Sequence, residues 1–266
     1  LGGGLLFLIN VIMFLNPQFF GIENQSNAIL ISFVMVAFWW AFFSIPILRN
    51  VSESDTQKQE PRFFKAILQS FNEVYQTLME VRKYKNVAIF LLAYWFYMDG
   101  IDTIVRMATA YGSDIGLEAS SMITALILTQ FVGFPSTLIF GYFADKIGFK
   151  KIISIGILIY ILISIFASRI TTATEFYLMA VVVGLVMGGV QAVSRAYFSS
   201  IIPEDKEAQF FGFYNLVGKS AVVAGPALLA WISMIFNTPR AGILGLLILF
   251  IPGLILLWMV PTKKNS

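Results

Sequence analysis

Apolar and polar positions in this chain alternate on a scale far longer than a helical turn. Runs of mostly about 20 apolar residues are separated by short polar connections, and they fall at about 1–15, 27–48, 87–110, 119–144, 152–168, 176–202, 210–236 and 241–260. That length suits a helix crossing a hydrocarbon core of ~30 Å. All eight segments are predicted helices, because a lipid-immersed segment has to satisfy its own backbone. The first is too short to span. It starts without methionine inside an apolar run, with neither the basic flank nor the small-residue cleavage pattern of a signal peptide. It reads as helix interior, so the expectation is a longer parent chain with about four more helices ahead of it.

One connection is different. Residues 50–86 begin polar (Ser52 to Lys58), and then Phe63, Phe64, Ile67, Leu68, Phe71, Val74, Tyr75 and Leu78 recur at helical spacing. This predicts an amphipathic helix lying on the inner membrane face. The chain then divides into 1–49, the last two helices of a truncated N-terminal half; 50–86, a cytoplasmic linker; and 87–266, a C-terminal half of six helices. Two such halves around a shared site is an arrangement of secondary transporters.

Composition changes the picture by exclusion. With 58% apolar and 12% charged residues and a mean hydropathy of +0.80, against roughly 25% charged in ordinary domains, a soluble enzyme is ruled out. A β-barrel would show ten-residue alternation instead of continuous runs. The fold class is therefore an all-α polytopic membrane protein. Cys and His are both absent, which removes disulfides, thiol nucleophiles and His-based relays, and no metal or cofactor is expected. The net charge of +3 is too small and dispersed for nucleic acid. Its placement reads as topology: Arg49, Lys58, Arg62, Lys65, Arg82, Lys83, Lys85, Lys146, Lys150, Lys151, Lys206, Lys263 and Lys264 fall on one set of connections, and only Arg169 and Arg240 on the other. The first set is cytoplasmic by the positive-inside rule, and the expected location is a bacterial inner membrane.

The turn after the fourth run, Gly141-Tyr142-Phe143-Ala144-Asp145-Lys146-Ile147-Gly148-Phe149-Lys150-Lys151, sets one carboxylate among three cations. Asp145 is placed near the inner end of a helix, where it can meet a helix N-terminus or a neighbouring cation, while the lysines anchor at headgroups. The residues Gly141, Asp145, Lys146, Gly148, Lys150 and Lys151 resemble the loop signature of the major facilitator superfamily, and are gating candidates with Arg195. Three further stretches are similar to the vacuole-effluxer-like (autophagy-related) family of that superfamily. They are Ala93 to Gly100 (AYWFYMDG), Gly184 to Arg195 (GLVMGGVQAVSR), and Phe210-Phe211-Gly212-Phe213-Tyr214 running on to Gly218-Lys219 and Gly225-Pro226. The family pattern has an acidic residue where this chain has Gln209, and Ser where it has Ala196. The resemblance implies solute transport by a twelve-helix protein; the best-known members export amino acids from vacuoles.

The residues themselves point the same way. Asp99, Gln130, Gln191 and Lys219 each lie ~15 to 18 Å from a span end at 1.5 Å per residue, so four polar side chains from four helices are expected at one midplane hollow. Charge at that depth needs a partner or water. Asp99, Asp102 and Arg106 share a helix face, so that one Asp can neutralise Arg106 and leave the other for a proton or a cationic group; a structural ladder is the alternative. Asn215 and Lys219 share another face, Lys219 serving as counter-ion to Asp99 or as grip on a carboxylate. Gly184 and Gly188 read as close helix packing. Gly133 with Pro135, and Gly225 with Pro226, are expected to interrupt helices.

The reading that follows is a secondary transporter of a small organic solute, working by alternating access, with protons as a coupling ion and no phosphate-binding loop for ATP. Its partners are the solute, the bilayer and the missing N-terminal helices. The alternatives are a non-transporting receptor or scaffold on the same fold, or a membrane enzyme, for which the carboxylates lack any nucleophile pattern.

Overall fold

The long apolar runs are helices, and their ends are set by local chemistry. The computed structural model describes residues 2–51, 72 and 74–261, and among these the chain is all-α. Much of the predicted amphipathic linker helix, through Phe71, and the basic tail lie outside the described residues. The chain divides into two compact units, Leu1–Ile67 and Leu68–Ser266. In the first, α1 (Gly2–Leu15) and α2 (Gln25–Asn50) pack on each other and are joined through a short 3-10 turn at Pro17–Phe20. The Asn24 side chain accepts from the Asn27 N–H at 2.9 Å and so starts α2.

The second unit begins its described part with a helical stretch at 74–81 and continues with α3 (Lys85–Asp114), α4 (Ala119–Ile147), α5 (Phe149–Ala167) and α6 (Ala173–Ile201). There follow α7 (Glu207–Ser220), α8 (Ala224–Phe236), α9 (Pro239–Gly245) and α10 (Leu247–Met259). Among the described residues, seven stretches are long and apolar enough to cross a membrane, with α7–α8 and α9–α10 each counting as one. The protein is an integral, multi-pass membrane protein.

Breaks fall where the sequence lacks a side chain or an N–H. Gly148, at φ 97°, both ends α4 and starts α5, a backbone conformation that costs an L-residue. Thr172 and Glu175 form a reciprocal capping box at the start of α6. Residues 221–223 leave the α-helical pattern between α7 and α8, just before Gly225-Pro226, as expected. Pro135 behaves otherwise: α4 runs through it unbroken, a correction to the predicted interruption. Its neighbours carry the local hydrogen bonding, with Thr137 Oγ1 donating to Gly133 O at 2.8 Å and Ser136 Oγ to Leu185 O on α6.

The unit is built around α3 and α6. Phe90, Tyr97 and Ile101 on α3 and Val190 and Phe198 on α6 are fully buried. Small residues let the flanking helices close in, as lipid-solvated bundles require. A Cβ on Gly184 would lie 2.8 Å from Thr129 O, and one on Gly188 would collide with Thr137 Oγ1, so the glycine stripe is an α4–α6 packing seam. On the opposite side Gly253 of α10 fits against the Tyr97 backbone, where a Cβ would sit 3.0 Å from the N. The outer surface stays apolar, with Leu138, Leu162, Trp231 and Met234 exposed, which suits acyl chains as solvent.

Candidate functional site

Helical spacing on three elements opens one cavity. Tyr94, Met98, Asp102 and Arg106 recur every four residues along α3, Gly188, Gln191, Ala192 and Arg195 form a stripe on α6, and Tyr214, Asn215, Gly218 and Lys219 form one on α7. With Val222 they line a volume of about 510 Å³. The wall on one side is aromatic. Tyr94 stacks on Tyr214 with ring centroids 4.3 Å apart, and Tyr214 stacks on Phe198 at 4.7 Å, tying α3, α6 and α7 together. Gly218 permits this approach, since a Cβ there would lie 3.2 Å from the Tyr94 hydroxyl. Behind the wall, the Tyr97 and Ser194 hydroxyls share a buried hydrogen bond of 2.7 Å, and the Arg195 guanidinium sits over the Phe211 ring at 5.3 Å.

Of the sequence-predicted residues, Asp102, Arg106, Gln191, Asn215 and Lys219 share this cavity with Arg195. Asp99 and Gln130 do not. Asp99 has nearly the same azimuth as Arg106, but at its level α8 comes close because Gly225 has no side chain. Asp99 is fully buried, and among the described residues neither carboxylate oxygen has a hydrogen-bond partner within normal geometry. Thr103 Oγ1 donates to the Asp99 carbonyl at 2.6 Å, not to its carboxylate. The expected pairing of Asp99 with Lys219 is therefore absent here. Gln130 is exposed on α4, one residue around from Thr129, which faces α6 and donates to Ala180 O at 3.1 Å. Asp102 and Arg106 make no direct ion pair; among the described residues Lys206–Glu80 is the one ion pair. The reading of residue types missed Met98, Ala192, Tyr214 and Gly218, whose signal was the four-residue spacing that they share with the polar members.

At the inner end, the gating candidates separate. Lys150 donates to the carbonyls of Trp258 at 2.9 Å and Val260 at 2.7 Å and lies over the Trp258 ring, so it caps the end of α10. Lys146 donates to the Tyr142 hydroxyl one turn back and stacks over that ring. Asp145 and Lys151 are exposed, and Gly141 has open space where a Cβ would sit. The end of the linker meets α7: Lys206 pairs with Glu80, and Gln209 Nε2 donates to Thr77 Oγ1 at 3.0 Å and Glu80 Oε2 at 3.2 Å. The Lys206 ammonium holds the Glu80 carboxyl below its ordinary value of 4.5. A second cavity of about 560 Å³ opens beside this contact, between Thr77 and Phe213.

The family described as vacuole effluxer Atg22 like matches residues 1–266. The chain is 35% identical over 267 residues to an MFS-type transporter of Bacillus subtilis, YxiO, covering 100% of this chain and 62% of that protein. It is 24% identical over 231 residues to autophagy-related protein 22 of Kluyveromyces lactis, covering 79% of this chain and 46% of the relative. With the Vanderwaltozyma polyspora protein of the same name it shares 26% over 278 residues, 92% of this chain and 53% of the relative. The chain thus spans less than two thirds of the length of each of these relatives. From the family match along its whole length, the chain belongs to the vacuole effluxer Atg22-like family.

Proposed function

We propose that this chain is the larger part of a secondary transporter that moves a small organic solute through the bilayer; what supports this reading is the cavity, a volume of about 510 Å³ that brings Asp102, Arg106, Gln191, Arg195 and Lys219 together among apolar helices. Groups such as Asp102, Gln191 and Lys219 cost free energy at membrane depth and persist where they face water or a solute. In this reading the six-span unit rocks against a second half, to which α1 and α2 belong, and exposes the cavity to each side in turn. An amino acid is the solute class that the family resemblance implies, and a bacterial inner membrane is the location.

Asp99 or Asp102 carries a coupling proton in this scheme, carboxylates being the natural carriers in a chain without His. The two differ in access, since Asp102 lines the cavity and Asp99 is sealed behind it. Asp145, exposed at the inner turn, is left to meet a partner from the other half as a gate, with Arg195 on the cavity wall as a second gating group. The test is flux of labelled amino acids into proteoliposomes holding the full-length protein. Asp102→Asn and Lys219→Ala are expected to abolish it; unchanged flux in both would remove the cavity from the pathway.

A further inference from the structure

The cations of this chain sort by depth. By sequence, every Lys and Arg but three falls in a connection, in the tail or within three residues of a spanning helix's end; the three are Arg106, Arg195 and Lys219. They come from three different helices, and all three line the same cavity. Two carboxylates lie as deep, and only Asp102 faces them, because Asp99 is turned against Gly225. Among the described residues none of the three cations is in an ion pair, and the partner of Arg195 is an aromatic ring. Positive charge gathered from three helices into one place at membrane depth calls for negative charge arriving there.

We propose that the cavity takes an organic anion, its carboxylate held among Arg106, Arg195 and Lys219 and its flat apolar body against Tyr94 and Met98. The guanidinium groups offer paired donors that match a carboxylate's geometry, and the lysine adds a point charge. Asp102 opposes a second negative charge on the solute, which favours a monocarboxylate. This deepens the transport reading and rests on it only for the movement of the anion, since binding alone identifies the class.

The experiment is binding to the full-length protein in detergent, by calorimetry and by shift of the unfolding midpoint. The probes are phenylacetate, benzoate and indole-3-acetate, against phenylacetamide and phenethylamine, which keep the ring but replace the charge. At least one carboxylate is expected to bind saturably and at least tenfold more tightly than the amide and the amine. Lys219→Gln and Arg195→Gln, each with an unliganded midpoint near that of the parent, are expected to weaken it at least tenfold. Equal binding of the amide or amine, no binding by any carboxylate, or full binding by both variants overturns the proposal; the last would mean that carboxylates of the other helices neutralise the cations. Carboxylate binding with no flux of either the bound carboxylate or the labelled amino acids would sink the transport reading and leave the anion site standing. Flux of a neutral or cationic solute without carboxylate binding would do the reverse.

Discussion

Gly225 presses its backbone onto the carboxylate of Asp99: a Cβ built on Gly225 would lie 2.8 Å from Asp99 Oδ1 and would collide with Thr103 Oγ1. The contact occurs just past the break at 221–223, where α8 begins. The same glycine that lets α8 approach therefore removes a deep acid from the cavity.

Gly225→Ala is expected to overpack this contact, at a cost of about 1 to 3 kcal/mol. Asp99→Asn keeps the shape and removes a buried group that can charge without a partner, so it is expected to leave stability unchanged or raised. Thermal unfolding in detergent checks both. A midpoint lower by several degrees in Asp99→Asn, with none in Gly225→Ala, would reverse the account.

The absence of native cysteine makes the cavity readable by labelling. Gln191→Cys and Asn215→Cys, on the cavity wall, are expected to react with a charged, water-soluble maleimide. Asp99→Cys is sealed, and Gln130→Cys, outside the cavity on the exposed side of α4 among Phe131, Phe134 and Leu138, is placed by this reading against acyl chains, where such a reagent does not partition. Both are expected to react at least tenfold more slowly. Equal rates at all four positions would mean that the site is not the separate wet volume described.

The spans were legible in the sequence because a ~30 Å hydrocarbon core imposes a long apolar run on each. Most of the cavity was legible too, as polar residues buried in those runs. What was hidden came from glycine. The angles around α3 put Asp99 beside Asp102 and Arg106, yet its surroundings depend on how near α8 comes, which only the packed pair Gly225 and Thr103 reveals. Pro135 likewise reads as a break until Ser136 and Thr137 are seen bonding to nearby carbonyls. The loop lysines all read as headgroup anchors, but Lys150 reaches carbonyls more than a hundred residues away.

The contact between the linker and α7 carries a pH prediction. The hydrogen bond from Lys206 lowers the folded-state Glu80 pKa below its ordinary 4.5, with Gln209 adding to it. A lowered carboxyl value means that the stabilisation is complete above the ordinary value and is lost as pH falls through the lower folded one. Hydrogen-exchange protection of residues 74–81, corrected for intrinsic rates, is therefore expected to be flat from about pH 5 to 8 and to fall in stronger acid. Gln209→Glu sets a second carboxylate beside Glu80 and is expected to lower that protection at pH 7. Loss of protection near pH 6 in the parent would contradict the ion pair's role.

Lys150 and Lys151 adjoin in sequence and differ in what they touch, which separates a structural from a surface role in one experiment. Lys150 satisfies two carbonyls at the end of α10 that no intrahelical N–H can reach, and its charge complements the negative end of that helix. Lys151 is exposed. Lys150→Gln is expected to cost about 1 kcal/mol, since a charged hydrogen bond is partly replaced by water at this half-exposed site. That corresponds to a midpoint lower by ~2 to 4 °C, with faster hydrogen exchange over the last turn of α10. Lys151→Gln is expected to change neither. If both variants lost stability equally, the two lysines would be acting on the whole inner surface as charge, and the cap would carry no separate energy.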